Sequence, residues 1–348
     1  MTTFHHALRR RFVFRSLAAW LAAGSMATGA MSAALAQEGA AASRTPTGKV
    51  PAAVSVLSIV EHPSLDALRD GLHDELKDAG YQDGKSLHWA YQSAQGNQGT
   101  AVQIARKFVG DRPDVIVPIA TPAAQAVVSA THQIPVVYNA ITDPIAAQIV
   151  KSMAPSGTNV TGVSDKLVAD RQVAFIKRVV PDVKRVGIIY SPAEANSVSA
   201  TREMKVALEK QGISLVEVAA PRSIDVGQAA QRLVGKVDVI YTSNDNNVIS
   251  AYESVIKVAN AAKIPLICAD RSSVQRGATG AMAIDYYRMG RQTGRMVLRI
   301  LNGEKPGDIA SETSDRLDIT LNLDAARRQG ATLSPELQAE ASEIFGKP

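Results

Sequence analysis

The feature that most restricts what this chain can fold into is that it repeats itself. RPDVIV (112–117) returns 124 residues later as KVDVIY, and HQIPVVYN (132–139) returns 130 residues later as AKIPLICA. The pair Ala79-Gly80, which should end a helix, has its counterpart in Gln211-Gly212, 132 residues on. Around these markers, short β-branched apolar runs alternate with amphipathic segments of helical period. The first half is expected to place strands at 54–60, 87–94, 114–120 and 134–140, with helices at 65–79, 98–109 and after Thr121. The second half repeats the order: strands at 185–190, 214–220, 237–243 and 264–270, helices at 198–210, 226–234 and 248–262. Apolar strands that alternate with helices form parallel sheets covered on both faces. Two such series predict an α/β fold of two doubly wound parallel-sheet lobes with a cleft between them.

In such sheets ligands sit outside the carboxyl ends of the strands. Those ends here are EHPS (61–64), IATPAAQ (119–125), NAITDP (139–144), SPAEANS (191–197), TSNDNN (242–247) and DRSS (270–273). All are rich in hydroxyls, amides and carboxylates, and TSNDNN sets six polar residues in a row at the end of a core strand. A loop that only turned the chain would need one or two. Thr121-Pro122 reads as a helix cap followed by proline in the first turn. The free N–H groups near Ala123 and Ala124, with the helix dipole, suit a carboxylate. Ser197 and Asn246 are placed to do the same in the second half. Glu61, Asp143, Glu194, Asp245 and Asp270 are five acids at strand ends; one or two would hold an ammonium group and the others would cap helices. Tyr138, Tyr190, Tyr241 and His62 offer flat walls, or, for the tyrosines, core packing.

Charge and motifs narrow the function. The formal net charge is +5, but residues 1–36 hold Arg9, Arg10, Arg11 and Arg15 and no acid, so without them it falls to +1. No Lys/Arg run marks a nucleic-acid surface. LRRRFVFRS followed by the apolar stretch 17–34 and Ala34-Leu35-Ala36 reads as a secretory signal, with Gln37 the first mature residue. Arg9-Arg10-x-Phe12-Val13 also approaches a twin-arginine signal, although Leu8 and Phe14 depart from it. Export by either route leads to the periplasm. The single cysteine, Cys268, forms no internal disulfide and is expected to be a small hydrophobe in a strand. G-x-G-x-x-G after a strand, G-x-x-x-x-G-K-[ST] and G-x-S-x-G are absent, and the histidines have no paired ligand spacing. Neither a cofactor nor a metal is expected, and catalysis is disfavoured.

EHPSLD (61–66), ITDPIAAQIV (141–150), SGTNVTGVSD (156–165), YSPAEANSV (190–198), SNDNNVIS (243–250) and GAMAIDYYRMGRQTG (280–294) resemble the ABC-transporter substrate-binding family that includes tryptophan- and tyrosine-binding proteins. The resemblance covers about residues 50–340. After the signal at 1–36 and the small polar residues 37–49, expected to be a flexible leader, it implies a type I periplasmic-binding-protein-like fold with three crossovers: 50–162 with about 281–312 one lobe, and 163–280 with about 313–345 the other. It also implies a monomer that carries a small solute, an amino acid or related zwitterion, to the membrane permease subunits of an ABC importer. Mapped onto this sequence, it points to His62, Pro63 and Ser64, then Thr121, Ala123 and Gln125, then Thr142 and Asp143. From the second half come Asn196, Ser197, Asp245, Asn246 and Asp270. Ser191 after Tyr190, where the family has Asn, and Ser64, where it often has Ala, depart from the pattern in two of these loops. A ligand sensor for a membrane receptor would use the same residues; an enzyme on this fold is the remaining alternative. On this reading Asp143→Ala and Asp245→Ala should each cost affinity and leave the fold intact.

Overall fold

The computed structural model describes residues 46–314 and 316–347, so the expected export signal and the start of the leader lie outside the described residues. Two sheets organise the chain. The first contains β1 (Ala52–Ser58), β2 (Leu87–Ser93), β3 (Val115–Ile119), β4 (Val136–Asn139), β5 (Val160–Ser164) and a late short strand, β11 (Glu312–Thr313). Its order is β11-β5-β4-β3-β1-β2, and all its pairings are parallel. The second contains β6 (Arg185–Tyr190), β7 (Ser214–Ala219), β8 (Val239–Thr242), β9 (Leu266–Cys268), β10 (Gly280–Ile284), β12 (Leu317–Asn322) and β13 (Glu343–Phe345). Its order is β13-β12-β10-β9-β8-β6-β7, with β10 and β12 the antiparallel pair.

Helices cover both faces, as continuous apolar strands require. On the first sheet α1 (Pro63–Asp78), α2 (Gln98–Asp111) and α3 (Thr121–Ala130) follow β1, β2 and β3. α4 (Ala169–Val179) leads into the second sheet, which carries α5 (Ala195–Glu209), α6 (Val226–Leu233), α7 (Asn246–Ser250), α8 (Tyr252–Ala262) and α9 (Arg271–Arg276). α10 (Tyr286–Leu301) returns to the first sheet, and α11 (Leu323–Arg328) and α12 (Pro335–Glu340) close the second. The chain thus passes between the sheets after β5, after β10 and between β11 and β12. β10 stays with the second sheet to Ile284, so the return begins at Asp285, the N-cap of α10. One apolar core fills the first half, and two flank the second sheet.

Two local features position the loops. The expected helix 248–262 is two helices, because Ala251 leaves the helical region (φ −111°, ψ 28°). The break turns Tyr252 inward, where it is fully buried with its hydroxyl 3.0 Å from Thr242 Oγ1 at the end of β8. The second feature is the close approach of α1 and α10. A Cβ on Gly71 would stand 2.1 Å from Tyr287 O, and one on Gly290 would stand 2.0 Å from Leu68 O. Only glycine permits that contact. It locks α1, whose first turn reaches the cleft, to α10, which starts where the chain crosses between the sheets.

Candidate ligand-binding site between the two sheets

In each sheet the order reverses at one strand. β1 lies between β2 and β3, and β6 lies between β7 and β8. Connections leave such strands toward opposite faces and open a crevice at their carboxyl ends. The loops after β1 and β3 therefore face the loops after β6 and β8.

From the first sheet, His62 caps α1. Its Nδ1 accepts the Leu65 N–H at 3.5 Å, so the ring proton sits on Nε2. Burial holds the imidazole down to about 4 against the pull of Asp270, and the ring is neutral at neutral pH. Its Nε2 finds no hydrogen-bond partner, although the Asn246 amide of the opposite sheet lies beside it. Pro63 is exposed at the first helical position, while Ser64 is buried and reaches across, donating to Asp270 Oδ1 at 2.8 Å. Thr121 opens α3 with its Oγ1 buried and unpartnered. The turn before it forces Ala120 to φ 71°, a conformation that costs a non-glycine residue about 1–3 kcal/mol and that clusters at functional sites. Asn139, at the end of β4, is fully buried, and neither amide atom has a partner.

From the second sheet, Asp245 caps α7. Its Oδ1 accepts the Val248 N–H at 2.9 Å, and its Oδ2 accepts Ser191 N–H at 2.6 Å and Ser197 Oγ at 2.5 Å. Glu194 stands beside it, 5% exposed. Its Oε2 accepts from Asn246 Nδ2 (2.7 Å), Asn246 N (3.3 Å) and Asn196 Nδ2 (3.1 Å). Burial, with the Asp245 charge adding to it, pushes the Glu194 carboxyl up to about 7. Burial also raises Asp245. Asn196 Oδ1, Ser243 Oγ and Asn244 Oδ1 are buried without partners. Asp270 caps α9 and collects Ser64, Ser272 and the Ser273 N–H on Oδ1. Cys268, buried, donates to Asp270 O at 3.3 Å.

At the crossings sits Asp165, fully buried and raised by burial. It accepts from Thr142 Oγ1 (3.0 Å) on the first-sheet side, Asn244 Nδ2 (2.9 Å) on the second, and Tyr286 OH (2.6 Å) at the start of α10. Together with Ser64–Asp270 and a Gln98 Nε2 donation to Ala193 O at 3.1 Å, these bonds draw the two sheets together.

The structure therefore brings His62, Ser64, Asn196, Ser197, Asp245, Asn246 and Asp270 together where the loops of the two sheets meet, with Thr142 bonded to Asp165 at the crossing; Thr121 opens α3, which packs against α5. Three expected residues stand apart. Ala123 packs into the first core. Gln125 points outward, donates to Ala147 O and lines a groove with Gln98 and Arg106. Asp143 caps a turn at Ala146 and pairs with Lys166 and Ser199. Sequence reasoning passed over Asn139, Asp165 and Tyr286. For Asn139 the signal was present, a carboxamide closing an otherwise apolar strand. For the other two it was not, because they meet across 121 residues of chain.

Comparison with known proteins finds substrate-binding relatives. A tyrosine-binding protein of Clostridioides difficile is 39% identical over 274 residues, 79% of each chain. The solved ABC domain from Streptococcus pneumonia in complex with L-Trp is 34% identical, with a TM-score of 0.82 over 84% of this chain and 99% of that one. The ligand-free, open structure of a substrate-binding protein with adhesive properties from Clostridium difficile is 37% identical but superposes less well, with a TM-score of 0.66 over 85% and 100%. The architecture is the type I periplasmic-binding-protein-like fold expected above. Among the described residues no helix is long and apolar enough to cross a membrane. The family model for ABC transporter substrate binding proteins matches residues 53–345, nearly all the described residues, and with these relatives it establishes that the chain belongs to that family, whose members bind cargo rather than transform it.

Proposed function

We propose that this protein is the periplasmic receptor of an amino-acid importer, which captures an aromatic amino acid, tyrosine or tryptophan, between its two sheets and presents it to the membrane permease. The observation that carries this reading is the division of polar groups across the crevice. The first sheet offers mainly donors, the His62 Nε2–H, the Thr121 hydroxyl and the first turn of α3, beside the Asn139 amide. The second offers mainly acceptors, the Glu194 carboxylate and the Asn196 and Asn244 carbonyls, beside the Ser243 hydroxyl. A zwitterion spans such a division, carboxylate toward the helix N-terminus and ammonium toward the acid. The tyrosine-binding and L-Trp-bound relatives support an aromatic side chain.

Closure follows from contacts that a bound amino acid makes to both sheets at once. A ligand shifts an open–closed equilibrium only by its differential affinity for the two states. In this structure Ser64–Asp270 joins the two sheets, and Asn244–Asp165 joins the second sheet to the crossing. The closed form then docks on the permease. The test is a thermal-shift screen of the protein from Gln37 onward, unfolded and refolded to strip bound solute, against amino acids, small peptides, sugars, nucleosides and carboxylates. A ligand at about 100 times its Kd adds roughly 2.7 kcal/mol. At this size that raises Tm by about 4 °C. Shifts confined to tyrosine, tryptophan and their close analogues are expected. A shift confined to another class would overturn the aromatic assignment.

A further inference from the structure

The crevice holds more acid than a single ammonium group needs, and the acids differ in what they have left to offer. Asp245 has both oxygens committed to Ser191, Ser197 and Val248. Asp165 has both committed to the hinge. Asp143 is tied to Ala146, Lys166 and Ser199. Asp270 Oδ2 makes no hydrogen bond with any described residue, but its Oδ1 carries the Ser64 bond that joins α1 to α9. Glu194 is different. Its Oε2 is clamped by three N–H donors from Asn196 and Asn246, while its Oε1 makes no hydrogen bond with any described residue. It lies beside Asp245, and neither carboxylate is in an ion pair with a described Lys, Arg or His. Two buried carboxylates without a counter-charge are costly unless a cation arrives.

A second observation points the same way. Asn196 spends its amide N–H groups on Glu194 and on Asn244 O, which leaves its Oδ1 buried and without a partner among the described residues. An ammonium group carries three donors and no acceptor. The loop is also in the right place. Asn246, which clamps Glu194, lies against His62 of the opposite sheet, and Ala193 accepts from Gln98.

We propose that Glu194, through its free oxygen, is the counter-ion for the ligand's ammonium group, with Asn196 Oδ1 as the second acceptor. This rests on the zwitterionic reading above and deepens it: the site selects for the amine, and a carboxylate without one is rejected. It also gives binding a proton signature. Glu194 is partly protonated near pH 7 in the free protein, and a cation against it lowers its affinity for that proton. Of the groups around it, Asp245 is also raised by burial, and Asp270 and Arg276 flank His62, which stays neutral and releases nothing at pH 7.

The experiment is isothermal titration of stripped protein with two matched pairs, L-tyrosine against 3-(4-hydroxyphenyl)propionate and L-leucine against 4-methylpentanoate. Each is run at pH 7 in buffers of different ionisation enthalpy, which counts protons released. For the wild type the amine member of a pair should bind roughly 30-fold or more tightly, with release of a fraction of a proton. Glu194→Gln keeps a carbonyl for the Asn196 and Asn246 clamp. It should weaken the amine member by about 30-fold or more, leave the desamino member within a few-fold, and abolish proton release. The proposal is overturned if Glu194→Gln keeps the wild-type ratio, or if the wild type prefers the amine in neither pair. Proton release is measured on the unaltered protein, so its absence decides against Glu194 even if the variant fails to fold. Discrimination seen only with the leucine pair would sink the aromatic assignment and leave Glu194 standing.

Discussion

In the ligand-free protein Glu194→Gln should be more stable than the wild type at pH 8, and the gap should close on acidification. The Glu194 carboxyl titrates near 7 when folded, against an ordinary value of 4.5. A carboxyl raised in this way prefers its proton in the folded state. Folding is therefore penalised where the group is ionised, and the penalty is relieved as pH falls from about 7 toward 4.5. At pH 8 the penalty is about 3 kcal/mol, and at pH 5 it is about 1 kcal/mol, at about 1.36 kcal/mol per decade of proton affinity. The amide carries no charge and keeps the clamp, so the variant should gain about 3 kcal/mol at pH 8 and only about 1 kcal/mol at pH 5. His62 works in the opposite direction in both proteins. Held near 4 rather than 6.5, it costs about 2 kcal/mol by pH 5, so the wild type alone should look nearly flat. Urea unfolding of stripped protein between pH 5 and 8 measures both curves. Parallel curves for wild type and variant would refute the assignment of a buried, raised carboxyl at Glu194.

Other perturbations separate site from scaffold. Gly290→Ala puts a Cβ 2.0 Å from Leu68 O and must push α10 off α1, which should cost about 1–3 kcal/mol and roughly 2–5 °C in Tm by calorimetry. Asp165→Ala strands Thr142, Asn244 and Tyr286 in the buried hinge; a loss of about 3 kcal/mol or more in urea unfolding is expected. Asp270→Ala removes the α9 cap, worth about 1 kcal/mol, and the Ser64 tie; small-angle scattering at saturating ligand should then show a larger open fraction. Asp245→Ala should lower stability by about 1–2 kcal/mol or more, because its oxygens cap α7 and hold Ser191 and Ser197.

What could be read from sequence was what repeats or what is local. The two βα series gave both sheets, and the polar strand ends gave the loops at the two reversals of strand order. His62, Ser64, Thr121, Asp245 and Asp270 are all first-turn or cap residues, a position that a strand followed at once by a helix betrays. Gln125 follows Thr121 by one helical turn, yet it faces the outer groove, because α3 buries its alanines against the sheet. That Asp245 holds Ser191 and Ser197 rather than standing open to a ligand is not visible in sequence, because these partners are about 50 residues away. Asp165 and Tyr286 come from separate crossings, and no local pattern announces that two such segments will meet. The crossings themselves were drawn from family resemblance, since a repeat cannot show where a chain changes sheets. Glu194 is one acid among five in sequence; what sets it apart is a free oxygen on a carboxylate held only by residues of its own sheet.

The most direct test is a crystal structure of the protein with the amino acid that gives the largest thermal shift. It should place the ligand between the loops after β1 and β3 and those after β6 and β8, its carboxylate at Thr121 and its ammonium on Glu194. A ligand outside that crevice, or one turned with its carboxylate toward Glu194, would contradict the account.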